Sequence, residues 1–157
     1  MNLRKKLVKR NYASRKGSSI RYIVIHDTGN PSPGADAMAH YHYFNNAYRG
    51  ASAHYFVDEK GILEIIEQAN SAWHCGDGRG KYGITNANSI GIELCINKGN
   101  NMEKTYEYAK ILIRELMERY GLSKTRVVRH YDASRKICPG HMSQNNWGKW
   151  WGFWESI

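Results

Sequence analysis

The sequence predicts one α/β domain in which helices flank a central mixed β-sheet. Short β-branched apolar runs alternate with segments of helical periodicity, as is typical of strands joined through helices. Two further apolar runs flank a short turn and predict an antiparallel hairpin. The chain has 157 residues, of which 41% are hydrophobic and 24% charged, and this balance matches a single compact domain rather than a disordered chain.

The first predicted strand, residues 22–26, is apolar on both faces, as expected of a central strand that is buried from both sides. It ends in His26, before the turn-forming segment 29–31. Residues 36–46 follow as a predicted helix, with Asp36 as its N-cap.

The predicted hairpin consists of residues 53–59 and 62–67, which flank Lys60 and Gly61. Residues 89–96 predict a further strand, again rich in β-branched and apolar residues.

The most regular helical pattern covers residues 103–120, where apolar side chains recur at steps of three and four. Asn101 is its predicted N-cap, and Gly121 marks its predicted end. A last strand, residues 125–130, ends in a second histidine, His130. Two predicted strands therefore carry a histidine at their carboxyl ends.

Four tryptophans near the C-terminus are spaced i, i+3, i+4 and i+7, which places them along one side of a terminal helix: Trp147, Trp150, Trp151 and Trp154. Such a regular stripe usually packs on a core. Stacking on sugars and contact with a further domain are the alternatives that the pattern leaves open.

The formal net charge of +9 is concentrated at the N-terminus, because residues 1–21 hold eight Lys or Arg and no acid. We therefore expect residues 1–20 to form a basic arm that precedes a domain spanning 21–157. Such an arm attracts polyanions, among them nucleic acid, acidic lipid and an anionic cell-wall polymer. A solvated arm without a specific partner is the equally open alternative.

Several classes of protein are excluded by what the sequence lacks. No run approaches the roughly 20 apolar residues of a membrane span, and the basic start is not followed by the apolar stretch of about 7–15 residues that a secretory signal requires. We therefore expect synthesis in the cytoplasm without a signal peptide. The three cysteines form no even framework, which favours a reduced compartment or a metal site over disulfides.

The two strand-end histidines are rigid mounts for a metal ion, and Cys138 follows His130 after seven intervening residues. A loop of that length can return a thiolate to the same ion. Zinc in catalytic sites is held by three protein ligands, with a fourth position for water. By itself this spacing is weak evidence, since a lone strand-end histidine is more often a hydrogen-bonded structural residue.

Five motifs in the chain resemble, in the same order, those of the zinc-dependent N-acetylmuramoyl-L-alanine amidases of type 2, which share the fold of peptidoglycan recognition proteins. The resemblance covers about residues 20–145 and rests on the segments Ile23-Val24-Ile25-His26, Ser52-Ala53-His54-Tyr55, Trp73-His74-Cys75-Gly76, Asn88-Ser89-Ile90-Gly91-Ile92-Glu93, and Arg129-His130-Tyr131-Asp132 continuing to Cys138-Pro139-Gly140. It implies hydrolysis of the amide bond between N-acetylmuramic acid and L-alanine in peptidoglycan, and thus lysis of bacterial cell walls.

The resemblance also implies residue roles. One Zn²⁺ ion is expected on His26, His130 and Cys138, with water as the fourth ligand. Glu93 is expected to act as general base and Lys136 to stabilise the oxyanion. Some relatives use a catalytic tyrosine on the strand that contains residues 53–55. The register here provides no clear equivalent, so Tyr55 is given no role.

The peptide stem and the muramic acid are the expected partners, with four candidate contacts: His54, Trp73, His74 and Arg79. The glycine-rich segment 76–83 lacks the spacing of a phosphate-binding loop and is expected to form a flexible rim over the substrate groove. Asp132 is a candidate hydrogen-bond acceptor for a metal-bound histidine.

The remaining histidines and cysteines are expected to be structural. Packing or surface positions are predicted for His40 and His42, and a surface position for His141. Cys75 and Cys95 have no partner at metal-ligand spacing and are expected to be small buried thiols.

Two other functions compete with hydrolysis. A non-catalytic peptidoglycan-binding module on the same fold typically lacks the cysteine ligand, and Cys138 therefore argues against it. A nucleic-acid binder with structural zinc usually closes the metal with four protein ligands, whereas only three are expected here. We expect the catalytic domain of a phage or prophage endolysin that acts on the wall after release, with a wall-binding domain possible beyond Ile157.

Overall fold

The computed structural model describes residues 2–157, which form a six-stranded mixed sheet, a two-stranded sheet and four α-helices. The strands are β1 Leu3–Lys5, β2 Tyr12–Ser14, β3 Tyr22–Asp27, β4 Tyr55–Asp58, β5 Gly61–Glu64, β6 Asn70–Ala72, β7 Ser89–Leu94 and β8 Val127–Arg129. The helices are α1 Ala37–Asn46, α2 Met102–Tyr120, α3 His130–Ser134 and α4 Gln144–Glu155. The predicted fold class is confirmed.

The central sheet has the strand order β1-β5-β4-β7-β3-β8. Strand β3 runs parallel to both β7 and β8, and β4 is parallel to β7, whereas β4 and β5 form the predicted antiparallel hairpin. Ile23, Val24 and Ile25 are fully buried, as predicted for a central strand. Because β3, β7 and β8 are parallel, their carboxyl ends meet at one edge of the sheet.

Helices cover both faces of this sheet. One face packs on α2 and α4 through a core that includes Ile23, Ile92, Leu112 and Trp150. The other face packs on α1 and α3. Alternate residues of β3 enter the two layers, since side chains of a strand point in turn to opposite faces, and this places His26 on the face of α1 and α3.

Helices α1 and α2 begin and end within one residue of the predicted bounds. The carboxylate of Asp36 accepts a hydrogen bond from the Ala39 amide at the start of α1, and Asn101 caps α2 through the Lys104 amide. Gly121 ends α2 in the left-handed conformation.

The end of β8 differs from the prediction. The strand stops at Arg129, and His130 is the first residue of α3. Asp132 causes this change of direction, because its carboxylate accepts a hydrogen bond of 2.8 Å from the Arg129 amide and so caps the new helix.

The N-terminal segment is packed into the domain, in contrast to the expected arm. Strand β1 extends the edge of the main sheet beside β5, and β2 pairs with β6 in the second sheet. Arg15 is only 6% exposed, and its guanidinium donates to the carbonyls of Gln68 and Ala87. The sequence did not predict these strands because each has only three residues and all of them are exposed, so neither strand carries an apolar pattern.

The terminal helix places only part of the tryptophan stripe in the core. Trp150 is 1% exposed, whereas Trp151 is 45% exposed and Trp147 and Trp154 are half-buried. The guanidinium of Arg129 lies over the rings of Trp147 and Trp151. The predicted packing on the core therefore holds for Trp147, Trp150 and Trp154, whereas Trp151 is exposed.

None of the helices in residues 2–157 combines the length and the apolar character that crossing a bilayer would require.

Candidate metal centre

Three buried side chains converge at the carboxyl edge of the central sheet. His26 is the penultimate residue of β3, His130 directly follows β8, and Cys138 lies on the loop after α3. The Nδ1 atoms of the two histidines are 3.1 Å apart, and the Cys138 sulfur is 3.7 Å from His26 Nδ1. All three ligand atoms lie within 4.8 Å of one another, so the structure brings together the three predicted metal ligands.

Two of the three separations fit a zinc ion, namely those from His26 Nδ1 to His130 Nδ1 and to the Cys138 sulfur. Zinc–nitrogen distances of about 2.0–2.1 Å and a zinc–sulfur distance of about 2.3 Å imply, for a tetrahedron, separations of about 3.3 Å between nitrogens and about 3.6 Å between nitrogen and sulfur. The observed values of 3.1 Å and 3.7 Å are close to these. Two imidazoles and a thiolate are also a donor set that zinc prefers.

The outer nitrogens of both histidines have hydrogen-bond partners. His130 Nε2 lies 2.7 Å from a carboxylate oxygen of Asp77, and His26 Nε2 lies 2.9 Å from His74 Nδ1. Because an ionised carboxylate only accepts, His130 carries its proton on Nε2 and presents a lone pair at Nδ1. Such outer partners fix the orientation of metal-binding histidines.

The acceptor on His130 is not Asp132, which was one of several candidates from the sequence. Asp132, the candidate, binds the Arg129 guanidinium at 2.7 Å instead. Asp77 takes that place from a turn spanning Gly76–Gly78. The only sequence signal for Asp77 is its position directly after the Trp73-His74-Cys75-Gly76 motif.

Burial favours the uncharged forms of two of the ligands, His26 and Cys138. Desolvation lowers the pKa of His26 well below its ordinary value, and the nearby His74 and His130 lower it further. Neutral imidazole is the form that binds metal. Burial also raises the pKa of the Cys138 thiol, so binding of a cation would release the thiol proton.

Glu93 lies on β7, in register with His26 on β3. Its Oε1 is 4.0 Å from His26 Nδ1, and its Oε2 is buried without a hydrogen-bond partner among residues 2–157. Burial and the negative charge of Asp27 raise the pKa of Glu93 well above its usual range, although Lys136 opposes this. A carboxylate that is both unpartnered and unusually basic is suited to accept a proton from a neighbouring molecule.

Lys136 is exposed and lines an open cleft of about 280 Å³ together with His130, His74, Asp77 and Trp73. Its positive charge lowers the pKa of both Glu93 and His26. The ammonium group of Lys136, which was expected to stabilise the oxyanion, therefore lies on the solvent side of the metal centre.

A second cavity of about 460 Å³ adjoins this cleft, and Trp73, Gly76 and Asn86 line both. Arg79 and Lys16 lie on the second cavity. Of the predicted substrate contacts, Trp73 and Arg79 therefore reach open space.

The two histidines predicted to contact substrate lie in the interior. His54 is fully buried; its Nδ1 accepts from the Gly91 amide, and its Nε2 lies 3.0 Å from both Arg15 and the Asn70 carbonyl. Both of its nitrogens are thus used within the protein. His74 borders the cleft, but its nitrogens face His26 and Ser89. Both rings form their hydrogen bonds inside the protein, and no free nitrogen of either ring faces the groove.

The glycine-rich segment begins as an anchored turn, in contrast to the expected flexible rim. A Cβ on Gly78 would lie 2.1 Å from the Ala133 carbonyl oxygen, so this turn packs directly on α3. The same turn carries Asp77, which contacts His130. Close packing there holds the metal ligand in place.

The remaining predictions for single residues have mixed outcomes. Cys75 and Cys95 are buried thiols, as predicted, and His40 packs against the ring of Phe56. The prediction for His141 was wrong. Its Nδ1 lies 2.7 Å from Asp27, and its Nε2 lies 2.8 Å from the Tyr106 hydroxyl, so the ring links the loop after Cys138 to β3 and α2.

Comparisons with known proteins agree with this geometry. The family model described as N-acetylmuramoyl-L-alanine amidase matches residues 16–141. The chain is 38% identical over 149 residues to the N-acetylmuramoyl-L-alanine amidase CwlL of Bacillus licheniformis, a match that covers 86% of this chain and 41% of CwlL. It thus spans less than half the length of this curated relative.

Two solved structures have the same fold. The catalytic domain of XlyA superimposes with a TM-score of 0.87 at 33% identity, and the match covers 100% of this chain and 99% of that domain. A mutant endolysin from Bacillus subtilis superimposes with a TM-score of 0.85 at 34% identity, with the same two coverages.

Proposed function

Since the chain belongs to the N-acetylmuramoyl-L-alanine amidase family, we propose that it hydrolyses the amide bond between N-acetylmuramic acid and L-alanine in peptidoglycan. The observation that carries this proposal is the convergence of His26, His130 and Cys138 beside the unpartnered carboxylate of Glu93. The likeness to the catalytic domain of XlyA supports it independently.

The three ligands would hold one zinc ion, with the fourth position left to water. When bound, zinc supplies Lewis acidity that polarises an amide carbonyl and lowers the pKa of water to about 7. Among residues 2–157, His26, His130 and Cys138 form the one group of three or more side chains that could bind a metal ion together. A three-ligand site favours hydrolysis over a structural zinc, which usually has four protein ligands.

Glu93 would act as the proton carrier. Its free Oε2 accepts the proton of the attacking water, whose oxygen bonds to the amide carbon. The same carboxyl then donates that proton to the amine of L-alanine as the C–N bond breaks. The products are a free carboxylate on the lactyl group of muramic acid and a new amino terminus on the peptide.

Lys136 would stabilise the negative charge that develops on the carbonyl oxygen. Its ammonium lies on the cleft with His130, on the side open to solvent. A fixed positive charge lowers the energy of the transition state more than that of the neutral amide, which raises the rate of the chemical step.

The cleft and its neighbouring cavity provide room for the muramic acid and the peptide stem. Trp73 lies between the two and offers an aromatic face, while Arg79 offers a positive charge for a stem carboxylate. His54 and His74 are left out of this binding surface, because their nitrogens are bonded within the protein.

An anionic wall polymer is a second partner that we propose for the N-terminal segment. Lys9, Arg10 and Lys16 are exposed there, and such a cluster attracts polyanions over roughly the Debye length of about 8–10 Å. This would hold the domain near the wall, where the endolysin-like activity acts after release from the cell that produces it.

The amidase proposal is tested by product analysis on purified peptidoglycan. We expect new alanine amino termini without new reducing sugar ends, and loss of both lysis and product after chelation, with recovery on addition of zinc. Cys138→Ser should lose zinc and reduce the rate by roughly 100-fold or more, since the metal supplies several kcal/mol of transition-state stabilisation.

Cys95→Ser is the matched control, because Cys95, like Cys138, is a buried thiol but belongs to a different core cluster. It should keep zinc and activity. New reducing ends would identify a glycosidase instead. Zinc-loaded protein that binds peptidoglycan but releases no product would identify a binding module.

A further inference from the structure

A chain of hydrogen bonds runs from His26 into the interior of the domain. His26 Nε2 lies 2.9 Å from His74 Nδ1, His74 Nε2 lies 3.0 Å from the Ser89 hydroxyl, and that hydroxyl lies 2.5 Å from the Thr85 carbonyl oxygen. All three side chains are at most 8% exposed. Water therefore cannot replace the partners in this series of hydrogen bonds.

The last member of the chain determines the direction of every bond in it. The Thr85 carbonyl can only accept, so the Ser89 hydroxyl donates to it and its oxygen accepts from His74. His74 then carries its proton on Nε2 and has a lone pair on Nδ1. That lone pair accepts from His26 Nε2, and a lone pair is left on His26 Nδ1.

We propose that Ser89 and His74 are positioning residues which fix the tautomer of His26, so that Nδ1, the atom that faces His130 and Cys138, is always free to bind the metal. This rests on the metal centre of the proposed function and adds to it the two side chains that prepare one of its ligands. The series His26, His74, Ser89 and the Thr85 carbonyl is named the hydrogen-bond relay.

The fold holds His74 closely in place for this task. A Cβ on Gly91 would lie 2.6 Å from the ring of His74, so the imidazole lies directly on the backbone of β7 at a position that only glycine allows. The Asn86 side chain accepts from the amides of His74 and Cys75 at 3.0 Å and 2.8 Å. Backbone and ring are thus each held by a separate contact.

The relay and the contact between Asp77 and His130 also direct one lone pair of each metal-binding histidine toward the other ring. His130 presents a lone pair at Nδ1 because Asp77 accepts from its Nε2. Two lone pairs then face each other across 3.1 Å, an arrangement that a cation between them relieves.

The relay is tested first by zinc affinity, measured by chelator competition with Zn²⁺ alone and without substrate. Ser89→Ala removes the acceptor for His74 Nε2 and releases the tautomer preference. We expect zinc binding to weaken roughly 10–100-fold, the usual effect of losing an outer partner of a metal ligand.

Thr105→Val is the matched control. Thr105 is fully buried, and its hydroxyl donates to the Asn101 carbonyl and accepts from Asn100. Like Ser89→Ala, Thr105→Val therefore removes one donated and one accepted hydrogen bond of a buried hydroxyl, but far from the metal centre. Its zinc affinity should equal that of the unaltered protein. Equal zinc affinity of Ser89→Ala and Thr105→Val would overturn the relay.

A second measurement needs no variant and tests the proposed tautomers even if Ser89→Ala does not fold. Nitrogen-15 NMR of the zinc-loaded protein should show His74 protonated on Nε2 and not on Nδ1. A proton on His74 Nδ1 would overturn the proposal. If the unaltered protein failed to bind zinc at all, the metal centre of the proposed function would fail instead, and the two failures are thus distinguishable.

Discussion

Among single residues, Glu93 has the surroundings of a proton carrier, because one of its oxygens is buried without a partner and its pKa is raised by burial. We predict that Glu93→Gln keeps zinc but lowers turnover by roughly 10²–10⁴-fold, the usual contribution of a general acid–base group. Zinc content and the rate of alanine release are measured on the same preparation.

Glu64→Gln provides the control for that substitution. Glu64 is also a buried carboxyl whose pKa is raised mainly by burial, but it lies on β5 beside the Tyr55 hydroxyl. Its variant should retain full turnover. Normal turnover in Glu93→Gln would mean that another group carries the proton.

Residue roles could be predicted from the sequence where they depend on a motif, and could not where they depend on contacts across the fold. His26, His130 and Cys138 were expected together and are brought together. Asp77 was missed, because its bond to His130 joins residues 53 positions apart. His54 was misjudged for the same reason: its partner Arg15 is 39 positions away.

At the scale of the element, α1 depends on its cap. The Asp36 carboxylate accepts from the Ala39 amide at 2.9 Å and forms an ion pair with Lys60 at 2.9 Å. Burial by itself would raise the pKa of Asp36, but the Ala39 hydrogen bond and Lys60 together lower it. We predict that Asp36→Ala costs about 1 kcal/mol of unfolding free energy at pH 7 through loss of the cap.

Asp36→Asn separates the cap from the charge, because asparagine also caps helices. A carboxyl whose pKa is lowered by folding adds stability above its unfolded pKa of about 3.9, and this contribution disappears as the pH falls through the folded value. The unaltered protein should therefore exceed Asp36→Asn in stability at pH 7, and the difference should vanish in strong acid. Denaturation by urea at both pH values measures it; a constant difference would contradict the assignment.

Elements with strong local signals were predicted closely, and those that depend on pairing were not. Helix α2 follows from its periodicity and its caps at Asn101 and Gly121. Strands β1 and β2 carry little local signal, because three-residue strands gain their stability from the strands beside them. The boundary between β8 and α3 was misplaced by one residue, since it depends on the Asp132 cap.

At the scale of the whole molecule, the concentration of positive charge in the N-terminal segment predicts that this segment contributes to binding an anionic wall. We predict that replacing Lys9, Arg10 and Lys16 by Gln weakens binding to intact walls and flattens its dependence on salt, because exposed charges act through screened electrostatics. Sedimentation with walls at several salt concentrations measures this.

The control for that variant removes the same number of charges elsewhere, at the exposed Lys98, Lys104 and Lys149. It should bind walls nearly as well as the unaltered protein. An equal loss in both variants would show that net charge alone matters, and that the N-terminal segment is not a separate contact. Arg15 is left unchanged in both, because it is buried and supports the fold.

The sequence alone determined the α/β class and helices α1 and α2 with their caps, because periodicity and capping chemistry are local. The three expected metal ligands and the expected base came from the resemblance of five motifs to a known family, since the ligand spacing by itself is weak evidence. The tertiary structure decided the rest. The N-terminal strands, the Asp77 partner of His130 and the relay through His74 and Ser89 join residues that lie far apart along the chain. Such contacts depend on which strands become neighbours, and no local pattern encodes that pairing.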